Sequence, residues 1–187
     1  MRLISGSAGG IPLEVPKSVT RPTQDRVRQA VFNMLGDLID GAHVLDVFAG
    51  SGALGLECLS RGAASALLVD QDRGACEVMK KNIAKTRLEG ANVRQSDVFK
   101  ILPQLISAGQ LFDLVFADPP YAHKLTDVNL SVKLAADPDF FKVVAPGGSV
   151  VLECMVTKGG STSWLPWEVV RDREYGSTRI LWLRKPL

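Results

Sequence analysis

Asp118-Pro119-Pro120-Tyr121 follows the apolar run Leu111 to Ala117, so an acid, two ring-stiffened residues and an aromatic ring leave a strand together. This set suits one chemistry. The exocyclic amine of a nucleic-acid base is a weak nucleophile, because its lone pair is delocalised into the ring. A carboxylate at Asp118 and the carbonyl of Pro119 can accept its two hydrogens, favour a pyramidal nitrogen and aim the lone pair at an electrophile. Tyr121 can stack on the base, which must be unpaired or flipped out to enter such a pocket. Asp118, Pro119, Pro120 and Tyr121 are therefore the candidate catalytic residues for methyl transfer to an amine. An in-line displacement needs no covalent intermediate, so Cys76 and Cys154 have no part as nucleophiles, and His123 reads as a surface histidine.

The second constellation is Leu45-Asp46-Val47-Phe48-Ala49-Gly50-Ser51-Gly52-Ala53-Leu54-Gly55, a strand that turns through glycines into a helix. It contains GxGxxG, and Asp70 follows Gly50 at about the twenty-residue distance of an acid that binds ribose hydroxyls. A dinucleotide site is one reading. Against it, Asp46 stands just before the glycines, where its carboxylate would repel a pyrophosphate but attract a ligand carrying an amino group and a sulfonium. S-adenosylmethionine is such a ligand, with S-adenosylhomocysteine as its product. Asp97 and Asp118 follow two further strands, so four strands deliver carboxylates to the sheet edge where open α/β folds bind ligands. Asp46 would hold the methionine end, partly through water, Asp70 the ribose diol and Asp97 the adenine amine. Phe48, Ala49, Gly50, Ser51, Gly52, Gln71, Val98 and Asp118 complete the expected cofactor contacts.

These residues need a scaffold. Thr23 or Asp25 can cap a helix to about Ile39, with Val27, Ala30, Val31, Met34, Leu35 and Leu38 on one apolar face. Short apolar runs then alternate with helix-length segments: His43 to Phe48, Ser65 to Val69, Asn92 to Gln95, Leu111 to Ala117 and Ser149 to Glu153. That alternation predicts a parallel sheet covered on both faces. Trp167 to Arg171 and Thr178 to Leu183, separated by a polar stretch with Gly176, predict an antiparallel pair that closes it. Residues 1–20 read as an N-terminal hairpin or arm, and 21–187 as one α/β domain.

The 187 residues and 20.2 kDa suffice for one self-supporting core. Apolar and charged fractions of 46% and 22% exclude disordered and fibrous classes. Absence of a long apolar run and of a leader pattern predicts a cytoplasmic protein with no membrane partner. Three scattered cysteines and two histidines predict neither disulfide nor metal. A net charge of +2 does not by itself indicate nucleic acid. Positive charge does gather near the N-terminus, where Arg2, Lys17, Arg21, Arg26 and Arg28 face only Glu14 and Asp25.

The segment Arg21-Pro22-Thr23-Gln24-Asp25-Arg26-Val27-Arg28-Gln29-Ala30-Val31-Phe32-Asn33, followed by Leu45 to Glu57 and the Asp118 motif, resembles the RsmD-type methyltransferases. Pro146-Gly147-Gly148 also resembles a general methyltransferase pattern. The resemblance implies a Rossmann-like class I methyltransferase, with a seven-stranded mixed sheet, helices on both faces and an N-terminal hairpin. It implies methylation of N2 of guanine 966 in 16S ribosomal RNA, within the 30S subunit or an assembly intermediate, by a monomer. Arg21, Arg26, Arg28 and Tyr121 would then contact RNA, the alternative for one or more of the arginines being a structural role that holds the loop over the cofactor by salt bridges. The chain departs from the family pattern in its arm, where Gly9-Gly10-Ile11-Pro12 replaces a cluster of basic residues, so the grip on RNA there is expected to be weaker.

Two other activities share parts of this pattern. A DNA adenine-N6 methyltransferase uses the same glycine loop and the same amine chemistry, but usually adds a target-recognition region for which this length leaves little room. A dinucleotide-binding oxidoreductase shares only the loop. A ribosome-assembly factor that retains the fold is the non-catalytic reading.

Overall fold

The computed structural model describes residues 1–16, 25–120, 129–156 and 163–187. Its strands form a seven-stranded sheet of mixed direction with helices, divided between two compact units, Met1–Val98 and Phe99–Leu187. No described helix is long and apolar enough to cross a membrane.

In the first unit β1 (His43–Val47), β2 (Ser65–Asp70) and β3 (Ala91–Gln95) run parallel in the order β3-β2-β1. Val44, Leu45, Val47, Leu68 and Val69 are all fully buried, the continuous apolar pattern of parallel strands covered on both faces. Helices α1 (Asp25–Leu35), α2 (Ala53–Ser60) and α3 (Arg73–Thr86) belong to this unit. The Asp72 carboxylate caps α3 by accepting from the Ala75 amide at 2.6 Å.

The expected first helix is present but its apolar face is rearranged. Val27, Val31 and Leu35 are buried as expected, joined by Phe32, whereas Leu38 is 49% exposed. Gly36 adopts a left-handed φ of 50°, which breaks the helical phase. The short 3-10 turn Gly36–Ile39 that follows buries Ile39 in place of Leu38.

Residues 2–13 form a narrow hairpin with a bridge between Arg2 and Pro12. The Leu3 amide donates to Ile11 at 3.0 Å and the Leu13 amide to Met1 at 3.0 Å. Leu3, Ala8 and Leu13 point inward and are buried. Full burial of a leucine side chain is worth about 1.5–3 kcal/mol, so this arm is docked rather than trailing.

In the second unit β4 (Phe112–Ala117) pairs in parallel with β5 (Val144–Met155), and β7 (Thr178–Arg184) and β6 (Glu168–Tyr175) follow antiparallel, in the order β4-β5-β7-β6. Helix α4 (Val98–Ser107) leads into this unit, and α5 (Leu130–Ala135) and α6 (Pro138–Val143) pack on β5. Trp167 is buried, and its indole nitrogen donates to the Ala135 carbonyl at 2.7 Å.

Two strands are longer than expected. β5 starts at Val144 because Pro146-Gly147-Gly148 lies in a bulge, across which the pairing steps from Phe112↔Val144 to Leu114↔Ser149. β6 extends through Arg171-Asp172-Arg173-Glu174, which the polarity alone marks as a loop. It is the last strand in the order, and its charges are exposed, which protects an edge from pairing with other chains.

Candidate active site

The loop between β1 and α2 is built from backbone geometry. The Ala49 amide donates to Val69 at 3.0 Å and the Gly52 amide to Ala49 at 2.7 Å, which folds the chain sharply at the end of β1. Gly50 and Gly52 have φ of 55° and 76°. Phe48 also lies in the left-handed region, at φ 62°, a conformation that costs a side-chain-bearing residue roughly 1–2 kcal/mol and concentrates at functional sites. Gly55 serves packing instead: a Cβ there would lie 2.2 Å from Leu68 Cδ2, so any side chain at this position would require Leu68 to shift.

Asp46 lies beneath this loop. It is 2% exposed, and its Oδ2 accepts from the Gly55 amide at 3.0 Å. Burial pushes its pKa from an ordinary 3.8 up to about 7; the Gly55 hydrogen bond opposes the shift and the charge of Asp70 adds to it. The carboxylate is therefore poised to respond to a cation rather than standing permanently charged.

Asp70 ends β2 and is half-buried. Its Oδ2 accepts from the Gly50 amide at 2.9 Å and its Oδ1 from the Asp72 amide at 2.9 Å. The carboxylate thus fixes the glycine loop and the entry to α3 at once. A carboxylate has about four acceptor sites, so both oxygens keep capacity for a diol. Gln71 is exposed beside it, Asp97 is half-buried just beyond β3, and Val98 is buried. The Ser96 amide donates to the Asp70 carbonyl at 2.9 Å, which brings the chain carrying Asp97 to the edge that carries Asp70. This set of acceptors fits a ligand with a cationic end, a diol and an amine.

Asp118 is half-buried one residue beyond β4, Pro119 is buried and Pro120 exposed. Tyr121 and His123 lie outside the described residues, as do Arg21 and Thr23. Burial pushes the Cys76 thiol up and that of Cys154 up to about 11, so both are held protonated. Among the described residues no cluster of His, Cys, Asp or Glu could hold a metal ion.

The three arginines expected on RNA do not share one setting. Arg26 is exposed on α1. Arg28 is instead 1% exposed, and its Nη2 donates to the Arg2 carbonyl at 2.8 Å, so this arginine holds the arm against α1 and is withdrawn from any phosphate. The helical spacing that turns Arg26 outward turns Arg28 inward, beside Val27 and Val31.

Two polar residues were missed from the sequence. Glu57 is fully buried on α2 and accepts the amides of Ile4 at 2.6 Å and Ser5 at 3.0 Å and the Arg61 Nε at 2.7 Å. Asn82 is fully buried on α3 and bonds the backbone of Glu14 and of Ser51. The available signal was a polar residue at an inward helical position: Asn82 follows Ala75, Cys76 and Met79 on the buried face of α3.

Known proteins are similar to this chain in sequence and fold. The family model described as Conserved hypothetical protein 95 matches residues 1–184. Ribosomal RNA small subunit methyltransferase D of Escherichia coli strain K12 is 37% identical over 177 residues, which cover 94% of this chain and 85% of that protein. The protein of the same name from Haemophilus influenzae is 37% identical over 71% of this chain and 69% of its own length. Among solved structures, yhhF of Escherichia coli aligns with a TM-score of 0.81 at 33% identity, covering 100% of this chain and 98% of that one. An RNA methyltransferase from Salinibacter ruber in complex with S-adenosyl-L-homocysteine shares the fold at 17% identity, with a TM-score of 0.63 over 89% of this chain and 94% of that chain. This chain therefore belongs to the Conserved hypothetical protein 95 family, the family of the small-subunit ribosomal RNA methyltransferase D enzymes.

Proposed function

We propose that the protein transfers a methyl group from S-adenosylmethionine to N2 of a guanine in 16S ribosomal RNA, guanine 966 being the position implied by the family resemblance. S-adenosylmethionine supplies an electrophilic methyl group on a sulfonium. The protein's residues supply binding, orientation and charge. Asp46 in its ionised form faces the cationic end, the spare acceptor sites of Asp70 take the ribose diol, and Asp97 accepts from the adenine amine. The backbone of Phe48 to Gly52 frames the ligand, with Gln71 and Val98 beside it. Asp118 and the Pro119 carbonyl accept the two hydrogens of the target amine, so its lone pair is aimed and a developing positive charge meets a carboxylate. Tyr121 stacks on the base, and Pro120 stiffens the turn between them.

The observation that carries this reading is the placement of Asp118, half-buried directly beyond β4, followed by the buried Pro119. Arg21 and Arg26 are assigned to phosphates. The protein acts as a cytoplasmic monomer on the 30S subunit or an assembly intermediate. Mass mapping of 16S RNA from cells lacking the protein, with add-back of pure enzyme to 30S subunits and to naked RNA, tests it. One guanine should lose a methyl group and regain it on add-back. An unchanged map overturns the RNA assignment.

A further inference from the structure

Asn82 joins two segments that are far apart in the chain. Its Oδ1 accepts from the Glu14 amide at 2.8 Å, and its Nδ2 donates to the Glu14 carbonyl at 3.0 Å and to the Ser51 carbonyl at 2.9 Å. The side chain is wholly removed from solvent, and both amide hydrogens and the oxygen are used. Glu14 closes the N-terminal arm; Ser51 is the middle residue of the Gly50-Ser51-Gly52 turn. The arm reaches the same turn a second time, since the Ser51 hydroxyl lies 3.6 Å from the Met1 sulfur. Its far end is anchored independently, by the Ser7 amide on the Ser60 carbonyl at 2.7 Å and the Ala8 amide on the Ser60 hydroxyl at 2.9 Å.

We propose that Asn82 is a positioning residue that couples docking of the N-terminal arm to the geometry of the cofactor loop, so that the arm serves as a strap for methyl-donor binding. The proposal rests on the reading of the Gly50 turn as the S-adenosylmethionine site. A buried amide with three backbone partners holds Ser51 at one distance from α3 and from the arm. Removing it leaves the Glu14 amide and carbonyl without that partner in a part-buried place and the Ser51 carbonyl without it in a buried one, and the cheapest relief is movement of the arm or of the turn. Coupling of this kind is reciprocal: if a docked arm favours ligand, ligand must favour the docked arm. The deficit of basic residues in the arm is consistent with a segment whose task is mechanical.

The test is S-adenosylmethionine calorimetry and hydrogen exchange on the full chain. Asn82→Ala should weaken binding roughly tenfold, a loss of about 1.4 kcal/mol, while KM for the RNA substrate stays within about twofold. Gly6→Ala offers a second route to undocking, since a Cβ at Gly6 would lie 1.8 Å from the Ser60 carbonyl oxygen at a φ of 80°; it should weaken binding in the same direction. In the unmodified protein, S-adenosylmethionine should slow exchange of the Glu14 amide several-fold, and Asn82→Ala should abolish that response. The first half of this readout needs only the unmodified protein, so it survives a variant that fails to fold. Unchanged affinity in a folded Asn82→Ala, or a Glu14 amide indifferent to ligand, overturns the coupling. Absence of binding to the unmodified protein would overturn the cofactor reading itself.

Discussion

The backbone nitrogen of Gly55 donates to Oδ2 of Asp46 at 3.0 Å, tying the first turn of α2 to a carboxylate buried under the glycine loop. The hydrogen bond favours the charged form, but burial outweighs it and pushes the pKa up to about 7. Between an unfolded pKa of 3.8 and this value the folded chain holds a proton that the unfolded chain has released. Asp46 therefore makes stability fall as pH rises from about 4 to about 7 and level off above, by about 4 kcal/mol in the limit. Asp46→Asn keeps the acceptor for Gly55 and cannot ionise. It should be more stable than the parent at about pH 8 and lose this slope. Urea denaturation across the range decides; parallel stability curves for parent and variant would refute the assignment.

Gly55→Ala tests the packing of α2 on β2. Alanine has the better helix propensity by about 1 kcal/mol, but its methyl would meet Leu68 Cδ2 at 2.2 Å. Overpacking of this kind costs about 1–3 kcal/mol, so the variant should be destabilised on balance. Adding Leu68→Ala should recover part of the loss of Gly55→Ala, seen as a favourable coupling in a double-mutant cycle. Strict additivity would show that the two residues do not meet.

Asp118→Ala should reduce the single-turnover methylation rate by roughly 10²–10³ while leaving S-adenosylmethionine affinity within about threefold. The carboxylate is proposed to act on the amine and not on the donor. Rapid-quench assays with saturating donor separate the two. Loss of donor binding without loss of the chemical step would reassign the residue.

Arg26 and Arg28 should part company. Arg28→Ala removes a buried guanidinium and its bond to the Arg2 carbonyl, so stability should drop by about 2–3 kcal/mol. Arg26→Ala should leave stability within about 0.5 kcal/mol and reduce the salt dependence of RNA binding by about one unit of slope. Denaturation and binding titrations at several salt concentrations distinguish them. Equal stability losses would remove the contrast in burial on which the assignment stands.

Much of the fold was legible because parallel strands buried on both faces write themselves as short apolar runs. The runs at His43, Ser65 and Leu111 match β1, β2 and β4 to within about a residue. The segment Asn92 to Gln95 matches β3 as closely, although that strand is mostly polar and none of its residues is fully buried. Less legible were β5 and β6. A bulge hides the start of β5 behind Pro146-Gly147-Gly148, and an edge strand needs no apolar face, so β6 looks like a loop.

The sequence by itself determined the chemistry on offer: an acid-proline-proline-aromatic turn, a glycine loop after a strand, and carboxylates at successive strand ends, all of which are local patterns. Tertiary structure alone decided the state of those groups. Burial made Asp46 a carboxylate poised near neutrality, turned Arg28 from a surface cation into an internal anchor, and made Asn82 the joint between Glu14 and Ser51. Solvent exclusion and long-range hydrogen bonding depend on what lies opposite a residue in space, and no spacing along the chain encodes that partner.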